Sequence, residues 1–599
     1  MKVTLQSDGT VLCVASDQLL SNNIEAYENT IPSMLSDRLR NPKFAGPENG
    51  QTGIAAEWEP IGNGMTGVSC RLIPGMYLSG TESQSLHNYA EGGWSGILQA
   101  GVQVFAGEEL EVEMWARARH RPVEVKVELQ ASGLPPYASQ TILFDLAHWT
   151  RRTARLTCPV THPNVFFKIS IAGDSLIHID QVHLRPVGEP HVGRALLESF
   201  DQFPCPVLRF PGGCVSCTYH WEHGVGPVHL RPVQDDPVFK YKLHYDFGTD
   251  EYLELCATRS IRPLITLNTT TATPEQAAAW AAYVRAWYVR RNLAVPAAYF
   301  MFGNENYGTW EIGHMTGEMY AAQLREFVPP VRVAYPEARI MAIGEFDSGG
   351  LRTQQTTPWR SVLIEKAADL FDVLVVTRYC GGGDQAPIGD IMKTVADSVT
   401  GKAADLERMA RSIRESGLKK TMGIVEWNFW SRASHNDHAG FYEPNDIRHC
   451  LFSAGHLNAF CRQGELLELA CFYSLVNTMG MIQVTHGRVQ LSDLVKVFTL
   501  YADALPGQVL KVEIDSPMLT EHSQAVDANF VRKGNTTFGF LVNFSATEAA
   551  EVSLVGLGPI LEATGLSARN ILEPVTTVVA PTSGSTVSLP PMSLVRVRV

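Results

Sequence analysis

The chain has no apolar run that reaches the roughly 18 residues a membrane helix needs. Its first residues, MKVTLQSDGTVLCVASDQ, carry no apolar core of a secretory signal. Basic residues are not in excess: 49 Lys and Arg stand against 62 Asp and Glu, a formal net charge of -13. That balance argues against a nucleic-acid or anionic-membrane surface and favours plain solubility. Internal repeats and low-complexity tracts are absent. Charged residues make up only 19% against 45% hydrophobic, which excludes a disordered chain. Cysteine is present but odd in number, 11 residues, most of them in apolar or strand-like contexts. With no signal in view, the expectation is a reduced, cytoplasmic protein. The N-x-S/T triplets at Asn268, Asn535 and Asn543 are then chance matches.

What is present is patterned. A chain of 599 residues is too long for one core, and about three or four domains are expected. Residues 1–44 hold a short N-terminal strand and the run LLSNNIEAY. Residues 45–186 alternate apolar and polar positions between Gly, Pro and Ser turns, as in LEVEMWARA and VEVKVELQA, the spacing of a β-sandwich. Residues 187–490 alternate short apolar strands with helical segments. One helix is announced by Thr273-Pro274-Glu275, a cap followed by Pro at the first helical position. Residues 491–599 return to alternation and form a second sandwich.

The strands of the third region are VLRFPGG, PLITLNTT, AYFMFGNE, RIMAIGEF, DVLVVTRY, MGIVEWNF and ACFYSLVN. With LLSNNIEAY they make eight, which predicts a (β/α)8 TIM barrel interrupted after its first strand by the sandwich. The fold class expected is therefore multi-domain, α/β plus all-β. The barrel carries an inserted β-sandwich and is followed by a C-terminal β-sandwich.

Active sites of such barrels lie at the C-terminal strand ends, and here those ends are polar: Glu25, Arg209, Asn268, Asn304-Glu305, Arg378-Tyr379, Glu426-Trp427-Asn428 and Ser474 to Asn477. Glu305 and Glu426 end strands 4 and 7, nearly opposite each other. Paired carboxyl groups suit glycoside hydrolysis, retaining at about 5–5.5 Å and inverting at about 6.5–9.5 Å. The bland readings are a strand-to-helix cap for Asn-Glu-Asn and an ion pair to Arg209 or Arg378. Cys214 and Cys217 form a CxxC, but only Cys205 lies near enough to add a ligand, so no metal is expected. His220, His223, His229 and His244 lack ligand spacing and read as structural or solvated. Trp221 and Trp427 are core residues or sugar platforms, and the loop from Asp437 to Asp446 is expected to face substrate.

The sequence resembles glycoside hydrolase family 51, the α-L-arabinofuranosidases. The resemblance rests on RFPGG with YHWEHGVGP (Arg209 to Pro227), GNENYGTWEIGH (Gly303 to His314), VEWN (Val425 to Asn428), LVN (Leu475 to Asn477) and the stretch from Asn22 to Phe44. It spans the barrel and both flanks. It implies a retaining double displacement with Glu305 as acid/base and Glu426 as nucleophile. It also implies Asn304 on a sugar hydroxyl, Tyr379 on the nucleophile, Glu25 and Arg209 lining the sugar subsite and Trp310 as an aromatic face. No metal or organic cofactor is implied. Oligomers are common in the family, so a homo-oligomer is possible; the inserted sandwich, through Gly92 to Arg117, resembles the carbohydrate-binding-module jelly roll of members with a large insertion, and whether it binds glycan is left open.

Three positions depart from the family's pattern. Thr377 stands in place of His, Ser474 in place of Gln, and Cys214 in place of Asn. Such changes alter which hydroxyls find a partner and hence which sugar fits. The expectation is an exo-acting arabinofuranosidase acting on hemicellulose-derived oligosaccharides. The alternatives are a glycosidase of other specificity, for galactofuranoside or as an endo-β-glucanase or xylanase, and a non-catalytic carbohydrate-binding protein.

Overall fold

Eight short strands, mostly apolar, pair in parallel and close into a barrel: β1 (Ser21–Asn23), β2 (Val207–Phe210), β3 (Arg262–Leu267), β4 (Tyr299–Phe302), β5 (Arg339–Ile343), β6 (Val373–Gly381), β7 (Thr421–Trp430) and β8 (Leu467–Phe472). A computed structural model describes the chain except residues 28, 51, 62–66, 91, 346–358, 382–385, 431–442, 444 and 486. Closure runs through β1, which pairs with β2 on one side and β8 on the other. The strands are buried on both faces, which is why they read as apolar runs rather than alternating ones.

Helices cover the barrel. The helix α1 (Pro274–Arg290) begins as its sequence dictates: the Thr273 hydroxyl accepts from the Gln276 amide and the Gln276 side chain accepts from the Thr273 amide. Its buried stripe holds Ala277, Trp280, Ala281, Val284 and Trp287. The helices α2 (Gly317–Ala334), α3 (Ile388–Glu415) and α4 (Ile447–Cys461) follow; α4 is buried on every side.

Between β1 and β2 lies a sandwich of two five-stranded antiparallel sheets with its own core. The strand Glu109–Ala118 alternates perfectly between buried and half-exposed positions, the pattern of a sheet with one face on a core. The C-terminal region forms a seven-stranded and a five-stranded sheet. Both include strands from the extreme N-terminus: Val11–Ala15 pairs with Gly507–Leu510, and Lys2–Gln6 runs parallel to Ala550–Val555. The sequence reading grouped these residues with the first barrel strand, whereas their pairing partners lie in the C-terminal sheets.

At the end of the barrel away from the strand C-termini, Glu468 on β8 ties three other strands together. It accepts from Tyr299 on β4 at 2.5 Å, from Thr421 on β7 at 2.6 Å and from Arg339 on β5. Burial works to raise this carboxyl, but Thr421, Tyr299 and Arg339 outweigh it and hold it below the ordinary glutamate range. A lowered carboxyl stabilises the fold above its unfolded value, near 4.5, and loses that contribution as pH falls through the folded value. Glu468→Leu is expected to cost about 1–2 kcal/mol at neutral pH by removing the acceptor that Tyr299, Thr421 and Arg339 share. Urea melts should show the difference from wild type shrinking as pH falls below the glutamate range; a difference independent of pH would remove the electrostatic account.

Candidate active site

Strand β4 stops at a turn that places Glu305. Gly303 has φ +77°, and a Cβ there would sit 2.2 Å from Asn306 Oδ1 and 2.8 Å from Thr269 Oγ1, so only glycine fits. Glu305 itself has φ +40°, a left-handed backbone that a non-glycine residue rarely adopts and that is characteristic of functional sites. Its carboxylate receives three uncharged donors. The hydroxyls of Tyr307, at 3.0 Å, and Thr377 reach Oε1, and Trp310 Nε1 reaches Oε2 at 2.8 Å.

Glu426 is delivered by an irregularity in β7. The β6–β7 register steps from Val376↔Ile424 to Thr377↔Glu426, leaving Val425 unmatched. Such a bulge re-aims the following side chain. Glu426 Oε1 accepts from Arg209 Nη1 at 2.6 Å, and Oε2 accepts from the Tyr379 hydroxyl at 2.8 Å. Burial lifts its carboxyl above the ordinary range; Arg209 pulls against that lift, Glu305 adds to it, and Tyr379 opposes it.

Glu25 stands beside Glu426. A Cβ on Gly213 would lie 2.6 Å from Glu426 Oε1 and 3.1 Å from Glu25 Oε1, so any side chain there would displace the two acids where the loop after β2 passes them. Tyr473 donates to Glu25 Oε2 at 2.5 Å and the Val215 amide to Oε1 at 3.2 Å. Burial and then the neighbouring Glu426 push Glu25 up to about 8, so it retains its proton at neutral pH and serves as a neutral group.

Glu25, Glu305 and Glu426 open onto one cavity of about 580 Å³, walled also by Cys214, Trp310, Thr377, Tyr379 and Tyr473. Glu345, just past β5, lines it too, and Lys402 and Asp405 reach it from α3.

Four residues expected to contact substrate sit elsewhere. Trp427 is fully buried on the opposite face of β7 from Glu426, with its ring against Phe452, Phe460 and Phe498. Strand alternation sends neighbours to opposite sides, so it packs beneath the helices. Ser474 is buried past the end of β8, bonded to the Asn477 carbonyl and the Thr478 hydroxyl; Tyr473 faces the cavity in its place. Arg209 is fully buried behind Glu426. Asn304 is fully buried too, its Oδ1 taken by Arg209 at 2.8 Å and its Nδ2 by Glu311 at 3.0 Å and Cys214 at 3.6 Å. Trp221 lies parallel to Trp280, 6.3 Å away, in the packing around α1. The loop 437–446 lies outside the described residues apart from Glu443, Asn445 and Asp446, of which Glu443 and Asp446 flank the buried His449 at 3.1 and 3.3 Å.

Tyr307, Tyr473 and Glu311 were not singled out by the sequence. Tyr307 and Glu311 lie within six residues of Glu305 in a dense polar motif, and Tyr473 precedes Ser474. The available signal was local crowding around each strand end. The CxxC forms a turn in which the Cys217 thiol donates to Glu311 Oε2 at 3.4 Å. Among the described residues, Cys214, Glu305 and Glu311 are the group whose donor atoms converge, all within 4.8 Å. The oxygens of both acids are already engaged by uncharged protein donors.

Two family models match the chain: the α-L-arabinofuranosidase 1 domain over residues 199–288 and the α-L-arabinofuranosidase C-terminal domain over residues 426–593. Both matched models are α-L-arabinofuranosidase domains, and the chain is similar in sequence to that family over these two stretches. A probable α-L-arabinofuranosidase C of Aspergillus terreus is 27% identical over 307 residues, 48% of this chain and 61% of the relative. An intracellular exo-α-(1→5)-L-arabinofuranosidase of Streptomyces lividans is 25% identical over 445 residues, 65% of this chain and 64% of the relative. The matches thus span less than two thirds of these relatives' own length. The fold is that of an arabinose-bound family 51 α-L-arabinofuranosidase, with TM-score 0.73 at 16% identity over 100% of this chain and 99% of the other. The Xanthomonas axonopodis pv. citri family 51 arabinofuranosidase gives TM-score 0.61 at 22% identity over 69% and 91%.

The raised Glu25 carboxyl has a consequence for stability. In the unfolded chain it titrates near 4.5 and in the folded chain near 8, so the folded state holds the extra proton between those values. The stabilisation is complete below the lower value and declines as pH rises towards the upper one. Glu25→Gln cannot ionise and is expected to lose less stability than wild type between about pH 5 and 8. Parallel pH–stability curves for the two proteins would contradict the assignment.

Proposed function

We propose that this protein is a retaining, exo-acting α-L-arabinofuranosidase that releases arabinofuranosyl residues from short hemicellulose-derived oligosaccharides inside the cell. The observation that carries the reading is the unequal setting of two carboxylates on one cavity: Glu426 against a guanidinium and a phenol, Glu305 hydrogen-bonded by the uncharged donors of Tyr307, Thr377 and Trp310. The two α-L-arabinofuranosidase domain matches support it, as does the name of the Streptomyces relative.

In this reading an oxygen of Glu426 attacks the anomeric carbon, and the bond to the leaving oxygen breaks as that oxygen takes the proton of Glu305. The product is a glycosyl ester on Glu426 and a free alcohol. Glu305, now a carboxylate, removes a proton from water as the water oxygen attacks the same carbon, restoring Glu426. Arg209 and Tyr379 oppose the upward pull of burial on Glu426 and align it before attack. Glu25 and Tyr473 supply neutral hydrogen-bonding groups for sugar hydroxyls, and Trp310 offers a flat face while holding Glu305. Thr377 occupies a place where the family pattern has His, and its hydroxyl is spent on Glu305. The subsite it borders thus presents fewer donors to the sugar, which leaves room for a furanoside other than arabinose.

A panel of aryl glycosides tests this: α-L-arabinofuranoside, β-D-galactofuranoside, β-D-xyloside and β-D-glucoside. Arabinofuranoside is expected to be cleaved with retained anomeric configuration by NMR. Glu426→Ala should lose about four orders of magnitude or more. Glu305→Ala should cleave an activated aryl furanoside far better than an arabino-oligosaccharide, because a good leaving group needs no proton. Turnover of another glycoside alone would move the substrate, and inversion would remove the double displacement.

A further inference from the structure

Behind the cavity, four buried side chains form one continuous bridge. Glu426 Oε1 accepts from Arg209 Nη1 at 2.6 Å, and Arg209 Nη2 donates to Asn304 Oδ1 at 2.8 Å. Asn304 Nδ2 then donates to Glu311 Oε1 at 3.0 Å. Glu311 is only 2% exposed and is held in turn by the Cys217 thiol on Oε2 and by its own amide on the Gly308 carbonyl at 3.1 Å. The bridge crosses the barrel from β7 to the loop after β4.

The polarity of this bridge is fixed at both ends. Asn304 has one acceptor and one donor end, and the two faces of its amide meet opposite groups. If the amide turned over, its N–H groups would oppose the guanidinium and its oxygen would oppose a carboxylate. Arg209 alone fixes one end. Glu311 fixes the other, and it is the group that keeps Asn304 pressed against Arg209. Asn304 thus joins Thr266 and the Val425 carbonyl in fixing the guanidinium, whose bond to Glu426 defines where the attacking carboxylate stands.

We propose that Glu311 is a positioning residue for the reaction: through Asn304 it anchors the rear of Arg209 and thereby sets the orientation and charge of Glu426. This rests on Glu426 being the nucleophile of the proposed function. Among the described residues that line the cavity Glu311 is not one, so it acts through its neighbours Asn304 and Cys214. Burial first, against the pull of its hydrogen-bonding neighbours, lifts its carboxyl to about 7. A protonated Glu311 still offers its carbonyl oxygen to Asn304, so the bridge tolerates either state. A group that cannot accept breaks it.

The test compares wild type with Glu311→Gln, Glu311→Leu, Asn304→Ala and the Asn304→Ala/Glu311→Leu double variant on the best substrate of the panel. Glu311→Leu is expected to lower kcat about 10- to 100-fold through a loosened nucleophile, with KM within about threefold. Glu311→Gln keeps an acceptor and should recover most of that loss. On the Asn304→Ala background the leucine change should add little, because the path it uses is already cut. Arg209 lowers the Glu426 carboxyl, so loosening it should move the acid limb of the kcat/KM profile to higher pH, which a purely structural defect would not do. Additive effects with an unmoved acid limb would overturn the assignment. A wild type silent on every furanoside would defeat the proposed function instead. In that case a crystal structure of Glu311→Leu decides separately: displacement of Asn304 from Arg209 supports the bridge, and an unchanged Asn304–Arg209 contact overturns it.

Discussion

The buried Arg209–Glu426 pair is the constraint on which the rest of the site depends. A guanidinium with no solvent exposure is tolerable only if its charge and its donors are met inside the protein. Arg209 does this by reaching four strands at once. It belongs to β2, donates to Thr266 on β3, to Asn304 just past β4, and to both the Val425 carbonyl and the Glu426 carboxylate on β7. A planar fork with five donors suits that task in a way a lysine would not. The barrel is thereby cross-braced directly beneath its mouth. Removing the arginine would leave a carboxylate buried without its cation, and removing the carboxylate would leave the reverse.

That brace also arranges charge. Three carboxyl groups, Glu25, Glu305 and Glu426, share one cavity, and the Arg209 guanidinium behind them bonds to Glu426. They cannot all be ionised at low cost. The structure resolves the conflict by environment. Glu426 takes the guanidinium, Glu25 keeps a proton beside Tyr473, and Glu305 draws on neutral hydroxyl and indole donors. Acids of the same type therefore take different roles because their partners differ, the pattern that separates an acid from a nucleophile in carboxylate pairs.

The parts of this arrangement legible in the sequence were those carried by the chain's direction. A parallel barrel puts strand C-termini at one rim, so Glu305, Glu426, Glu25 and Tyr379 could be read from where apolar runs stop. Depth was not legible. Arg209, Asn304 and Ser474 also end or follow strands, yet they lie behind or beneath the cavity wall, because side-chain length and partners decide which polar residue is exposed. Trp427 adjoins Glu426 in sequence and faces the other way, a consequence of strand alternation that a list of strand-end residues overlooks. Pairing over long separations was likewise hidden: nothing in Lys2–Gln6 names Ala550–Val555 as its neighbour, since many apolar alternating strands would satisfy the same edge.

The inserted sandwich shows how a large interruption is accommodated without loosening the site. Residues 24 to 206 separate β1 from β2, yet Asn22 pairs with Leu208 as an adjacent strand. The entropic cost of closing a loop rises only slowly with its length, so the barrel bears the insertion as long as the domain folds by itself and its two ends emerge together. Specific docking does the rest. Lys43 is buried where the insertion begins, its ammonium shared by the Arg231 carbonyl at 2.7 Å and the Asp246 carboxylate, and Trp115 of the sandwich stacks on His229 at 4.7 Å. The segment they grip, from Val228 to Asp246, also carries Phe239 in the cavity wall. The sandwich is thus joined to the same loop that shapes the mouth, and its docking holds one side of the cavity in place.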